Sequence, residues 1–283
     1  MGKKNRNQEP KPKKVRIPFV DRPFEGIPFE SDLVAMREII PSATLPVTTT
    51  KEFGGEDLLI VTLLPQMAAA QRRDDGVLMV AAQTVTSSGD VSLDIAHRIR
   101  VGLELKDGET LAQAPLPEMG PRLQDVLEMK PASMTLYDTF EFWVSADEAK
   151  KSDIKSAIED TRSQMIPTER VGTTEGAFWC RMEREFLRWV RPEEQDKVLD
   201  GLARLHFKKE CTFDEARFVG AFRALGLLIP VWELQRGAEA DELVKPLKAF
   251  EKAFAAAIES TEPLSPEERR TRAGIVSRQV TLR

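Results

Sequence analysis

The thiols and imidazoles of this chain number four: Cys180, Cys211, His97 and His206. Cys180 and His206 are the candidate nucleophile and base, because a thiolate forms readily only beside a proton acceptor or a positive charge. Alternation along Phe178-Trp179-Cys180 puts Cys180 on the face of Phe178, and an inert core thiol is the preferred reading. His206 follows Leu205 near a predicted helix end, where an imidazolium interacting with the helix dipole is explanation enough. His97 stands off the apolar stripe of its helix, near Asp94, and is expected to be solvated. Four such residues in widely separated segments make neither a zinc site nor a disulfide framework, so no metal is expected.

Arg72, Arg73, Asp74 and Asp75 form a compact charged turn. It can recognise an anion or a partner, with a solvated hairpin tip as the alternative. Arg188 beside Trp189 offers a stacking surface, although core packing equally explains Trp189 together with Trp143, Trp179 and Trp232. The sequence holds no glycine-rich phosphate loop, no serine nucleophile elbow and no paired-histidine metal motif. That disfavours nucleotide-driven enzymes, serine hydrolases and zinc hydrolases, and no cofactor is expected.

The elements that must position these residues follow from the pattern. Strand character at 45–50, 58–64 and 77–85, with Gly54-Gly55 and Asp74-Asp75-Gly76 between, predicts an antiparallel meander. Asp90 caps a helix with Val91, Ile95, Ile99 and Leu103 on one stripe. Pro121 opens a short helix with Leu123, Val126 and Leu127, and 139–144 reads as a strand. Ser145 and Glu148 form a capping box before Ile154, Ala157 and Ile158. The order then returns: strands at 167–171, 177–182 and 186–190, a helix from Pro192 carrying Val198, Leu199, Leu202 and Leu205, and a capping box Thr212–Glu215 before Phe218, Val219, Phe222 and Leu225. A strand at 228–234 and a helix bearing Leu243, Leu247, Phe250, Phe254 and Ile258 complete it, with Pro246 either kinking that helix or marking its beginning. The expected fold is α+β: two similar β-β-β-α-α-β-α halves, each an antiparallel sheet packed by helices, aligned at Phe142-Trp143-Val144 and Pro230-Val231-Trp232. The expected divisions are a disordered arm over 1–21, halves over 22–165 and 166–260, and a C-terminal helix and tail over 261–283, the last opened by Ser265, Pro266 and Glu268. Residues 278–283 alternate and can form an edge strand or a docked or frayed peptide.

Charge is uneven. Lys3, Lys4, Arg6, Lys11, Lys13, Lys14 and Arg16 against Glu9 give the first sixteen residues +6, so a chain of net charge −5 carries −11 from Ile17 onward. This flexible arm can touch phosphates of RNA or the ribosome, or simply keep the protein in solution. An acidic body argues against a dedicated nucleic-acid reader. At 41% hydrophobic and 31% charged the composition is that of a folded soluble chain rather than a disordered one. No apolar run approaches a membrane span, and the basic start lacks the apolar stretch of a signal peptide, so a cytoplasmic location is expected.

Several strings together carry a resemblance: RPFEG at 22–26, GPRLQD at 120–125, FEFWV at 140–144, LRWV at 187–190, LARLH at 202–206 and SRQVTLR at 277–283. From about Arg22 to the C-terminus the chain resembles an actinobacterial family of uncharacterised proteins. Longer members resemble, near their N-termini, the C-terminal zinc motif of the secretion ATPase SecA, and bear a SecA-like label for it. Residues 1–25 of this chain contain no cysteine, so the resemblance implies neither a zinc site nor an ATPase, and it transfers no catalytic residues.

Three functions remain open. The first is a non-catalytic intracellular binding or accessory factor with a protein partner, linked by the resemblance to translation, secretion or protein folding. The second is an enzyme of unknown type with a cleft between the halves, holding Cys180, His206 or Arg188. The third is an RNA- or ribosome-associated protein held by its arm.

Overall fold

The computed structural model describes residues 16–163, 165–277 and the backbone of 280–281. The chain enters through Phe24 and a helix, α1 (Glu30–Glu38), in which Leu33, Val34, Ala35 and Met36 are all buried. A helix buried on every side shows no amphipathic stripe, so periodicity does not reveal it. Strands β1 (Ala43–Thr48), β2 (Asp57–Val61), β3 (Ala70–Arg72) and β4 (Leu78–Ala81) follow, then α2 (Val91–Gly102), β5 (Thr110–Leu111), α3 (Leu123–Val126), β6 (Thr135–Leu136) and α4 (Ser152–Arg162). The rest comprises β7 (Thr168–Arg170), β8 (Ala177–Arg181), β9 (Glu185–Trp189), α5 (Gln195–Phe207), β10 (Arg217–Ala224), β11 (Leu227–Glu233), α6 (Val244–Glu259), α7 (Pro266–Ser277) and β12 (Val280–Thr281).

The fold is α+β, with two six-stranded sheets packed by helices. The first sheet runs β5-β3-β4-β2-β1-β6 and the second β12-β10-β11-β9-β8-β7. Within each, the four central strands take the same first-second-fourth-third order. They differ in direction: β2 and β4 are parallel, whereas β9 and β11 are antiparallel. In the first sheet the outer strand β3 runs opposite to β2, so β4, returning between them antiparallel to β3, lies parallel to β2; in the second sheet α5 carries the chain back so that β10 runs the same way as β9 and β11 returns antiparallel to both. The predicted antiparallel meander thus holds for β1–β2 and β3–β4 but not across the middle.

Two predicted elements change type. The segment after Thr212 is strand β10, paired with β11 from Arg217↔Glu233 to Ala224↔Leu227. Its two-residue turn, Leu225-Gly226, has φ of 48° and 80°, the left-handed pair that a tight hairpin needs. Thr212 does not cap a helix; its hydroxyl donates to the Ala216 carbonyl at 2.6 Å. The segment 139–144 is a single 3-10 turn, Glu141–Trp143, not a strand, so its alignment with β11 does not hold. There Phe142 is buried, Phe140 stacks on Trp143 at 4.1 Å and the Trp143 indole donates to the Leu63 carbonyl at 3.0 Å. The Ser145–Glu148 capping box forms, but it opens a 3-10 turn, and α4 starts separately at Ser152. Asp90 caps α2 as predicted, accepting from the Ser92 and Leu93 amides. Pro246 stands in the first turn of α6, where its missing N–H costs nothing.

Strand alternation sorts the core. Leu58 and Ile60 face α1 and α2, while Val61, Met79 and Ala81 face the Phe142 turn. In the second sheet Trp179, Leu187, Trp189 and Trp232 face α5 and α6. On its other face, Phe178, Val190, Leu227 and Ile229 join the same apolar cluster as α1 and the first sheet. Polar contacts reinforce that junction: Arg22 pairs with Glu30 at 2.7 Å and donates to the Pro192 carbonyl at 2.8 Å, and Arg170 pairs with Asp32 at 3.0 Å. Among the described residues no helix is long and apolar enough to cross a membrane.

Candidate functional site

The C-terminal end of β4, beside its parallel neighbour β2, carries the most unusual chemistry. Parallel strand ends leave carbonyls that the next connection must satisfy. Here two arginines do so: Arg98 of α2 donates to the Ala81 carbonyl and Arg37 of α1 to the Ala82 carbonyl. The Gln83 amide group adds a bond to the Met36 carbonyl at 2.7 Å, tying the strand end to α1. Arg98 lies next to the Ile95–Ile99 stripe, one turn after Asp94, so the face that packs on the sheet drags the guanidinium inward with it.

Arg98 is only 4% exposed. Its Nε donates to the Asp94 carbonyl at 3.2 Å, and among the described residues its Nη2 donates to no protein acceptor. Neither Arg98 nor Arg37 forms an ion pair with a described carboxylate. Asp94, the nearby acid, is engaged by the Ser87 hydroxyl at 3.0 Å and the Ser88 amide at 3.0 Å. Burial pulls the Arg98 guanidinium down to about 10, which leaves it cationic at neutral pH, and burial lowers Arg37 as well. A charge buried without a direct counter-ion is costly.

Arg98 lines a cavity of about 90 Å³, with Gln66, Met67, Thr86, Gln113 and Ala114 among its walls. Gln66 and Met67 both have left-handed backbones, φ 57° and 59°, without being glycine; such conformations recur where a loop is held for function. Met67 and Val85 stand at the rim, 37% and 81% exposed. His97 is half-buried rather than solvated, and burial pushes its pKa down; its Nε2 is buried without a hydrogen-bond partner among the described residues.

The residues singled out from sequence lie elsewhere. Cys180 alternates with Trp179 and so points away from α5, which puts it on the opposite side of the second sheet from His206. Cys180 and His206 are not brought together. His206 instead borders an open hollow of about 590 Å³ with Cys211, whose thiol burial pushes up to about 12. Burial raises Cys180 too, opposed by the nearby Arg188. Arg72 is spent on Glu56 at 2.6 Å and on the Gly76 carbonyl at 3.0 Å, and Arg73 on Asp75 at 2.7 Å and the Phe142 and Val144 carbonyls. Trp189 is fully buried, its indole donating to the Glu175 carbonyl at 2.9 Å. The guanidinium stacked on it is that of Arg191, 4.6 Å away; Arg188 projects from the other face and touches the Met182 sulfur at 3.5 Å. The expected Arg188–Trp189 surface is therefore absent, because adjacent strand residues face opposite ways. Lys3, Lys4, Arg6, Lys11, Lys13 and Lys14 fall outside the described residues, while Arg16 is exposed.

Sequence reasoning missed Arg37, Arg98 and the Gln66-Met67 turn. The one available signal was the Asp94–Arg98 spacing next to an apolar stripe. Among the described residues no group of three or more histidine, cysteine, aspartate or glutamate residues gathers as for a metal. No curated protein and no solved structure matches the chain. Residues 23–283 do match one family, and the chain belongs to it: the family of unknown function DUF5926.

Proposed function

We propose that this protein is a non-catalytic binding or accessory factor acting on a protein partner. The observation that carries the reading is the composition of the β4 crevice: a buried guanidinium with one unspent donor, amides and a hydroxyl around it, and an apolar rim. Such a set recognises and holds; it supplies no nucleophile or proton-transfer pair. The contact between the two sheets, where an enzyme cleft was the competing expectation, is filled by Phe24, Phe178, Val190 and Ile229. A link to translation, secretion or protein folding rests on the resemblance to relatives bearing the SecA-like zinc motif.

Affinity capture from the native cell, with the full chain and with residues 2–16 deleted, tests the reading. A defined protein retained by both after nuclease treatment and high salt supports it. Retention that disappears with nuclease, salt or the arm moves the function to RNA contact, since phosphate binding must weaken with salt. An empty catch overturns it in favour of an enzyme.

A further inference from the structure

We infer that the β4 crevice is a carboxylate site that takes the C-terminal end of a peptide with apolar neighbours. This rests on the binding reading above and adds the chemistry of what is bound. Three independent features converge there. Arg98 is 4% exposed, lines the cavity and has an Nη2 with no acceptor among the described residues. Its two satisfied donors face main-chain carbonyls, Ala81 and Asp94, which carry no charge to balance it. The nearby carboxylates act only through space: Asp94, which accepts from Ser87 and Ser88, bears on both Arg98 and Arg37, and Glu38 on Arg37, so the Arg98 Nη2 itself meets no carboxylate oxygen. A buried guanidinium left in this state gains most from a planar two-oxygen anion, which it can meet in its own plane.

The cavity offers about 90 Å³, room for a small planar group such as a carboxylate. Gln66 and Gln113 contribute side-chain amides to the wall, and neither is hydrogen-bonded to another described side chain. The rim argues against a free inorganic anion. Met67 and Val85 give the entrance two exposed apolar side chains, which suits a carboxylate on an apolar body and does nothing for hydrated phosphate. The left-handed pair Gln66-Met67 holds one wall.

The test uses the purified full chain and reads Tm. The probes are a tetrapeptide of alanine and leucine with a free C-terminal carboxylate, the same peptide as its C-terminal amide, and inorganic phosphate. The free peptide at millimolar concentration is expected to raise Tm by about 3 °C, the amide by much less. Two variants separate the site from general effects. Arg98→Met removes the charge but keeps an unbranched chain; Ala114→Phe fills the cavity and leaves Arg98 in place. Both are expected to fold and to lose the response. A response to the amide equal to that of the acid, a response to phosphate alone, or an undiminished response in Ala114→Phe overturns the assignment. If Arg98→Met fails to fold, Ala114→Phe still decides. A protein partner retained in the capture experiment together with a flat peptide response discards the carboxylate site and keeps the binding reading.

Discussion

Gly226, at the tip of the β10–β11 hairpin, is pressed against Arg22 so closely that a β-carbon on it would lie 2.4 Å from that of Arg22. Its φ is 80°. The same Arg22 holds Glu30 and the Pro192 carbonyl, so the glycine lets the second sheet approach the entering chain. Gly226→Ala therefore combines backbone strain with overlap and is expected to cost about 2–4 kcal/mol, measured as a lower urea midpoint at unchanged slope. A cost under half a kilocalorie would mean the contact relaxes freely.

Gly201 does the same for two helices. A β-carbon there would meet the Ile258 side chain at 2.8 Å and its amide at 3.1 Å, so α5 and α6 pack closely at that point. Helix propensity alone favours alanine over glycine by about 1 kcal/mol. Gly201→Ala is nonetheless expected to destabilise, and adding Ile258→Ala should give a double-mutant coupling of about 1 kcal/mol or more in favour of the pair. Simple additivity would show that the helices separate without cost.

Cys211 predicts a pH dependence. Burial raises its thiol to about 12 from 9.0, so the folded state prefers the protonated form. That contribution is complete below pH 9 and is lost as pH rises from 9 toward 12, with a slope approaching 1.4 kcal/mol per pH unit. Cys211→Ala should flatten this segment of the stability curve. In the native state neither Cys211 nor Cys180 should react with a thiol reagent at pH 8 at the rate seen in urea.

The shared cluster containing Phe24, Leu45, Ile60, Phe178 and Ile229 links both sheets. We expect one unfolding transition, seen together by near-ultraviolet signals dominated by Trp143 on one side and by Trp179, Trp189 and Trp232 on the other. Two separated transitions would support 22–165 and 166–260 as independent domains. Phe24→Ala should lower the single transition by about 3–5 kcal/mol.

The stripes of α5 and α6 could be read because burial there is one-sided. Helix α2 and the C-terminal helix could be read from their caps, Asp90 and Ser265, and the strands carrying Phe178 and Trp232, buried on both faces, from their short apolar runs between turn residues. Helix α1 escaped because it is buried all round. The β10 segment reads as a helix in sequence because Phe218, Val219, Phe222 and Leu225 also fit a helical face; the left-handed Leu225-Gly226 turn makes it a hairpin strand. The candidate site was hidden for a related reason. Arg37 and Arg98 are ordinary surface residues in a sequence, and only the end of β4 draws them inside.

Helix α1 also sets a schedule for synthesis. Asp32 waits for Arg170, 138 residues downstream, and Arg22 for Pro192, 170 downstream. At translation rates of about 5–20 residues per second, the helix emerges roughly ten to thirty seconds before its covering sheet exists. During that interval Leu33, Val34 and Met36 lack the part of their apolar surroundings that Phe178, Val190, Leu227 and Ile229 later supply.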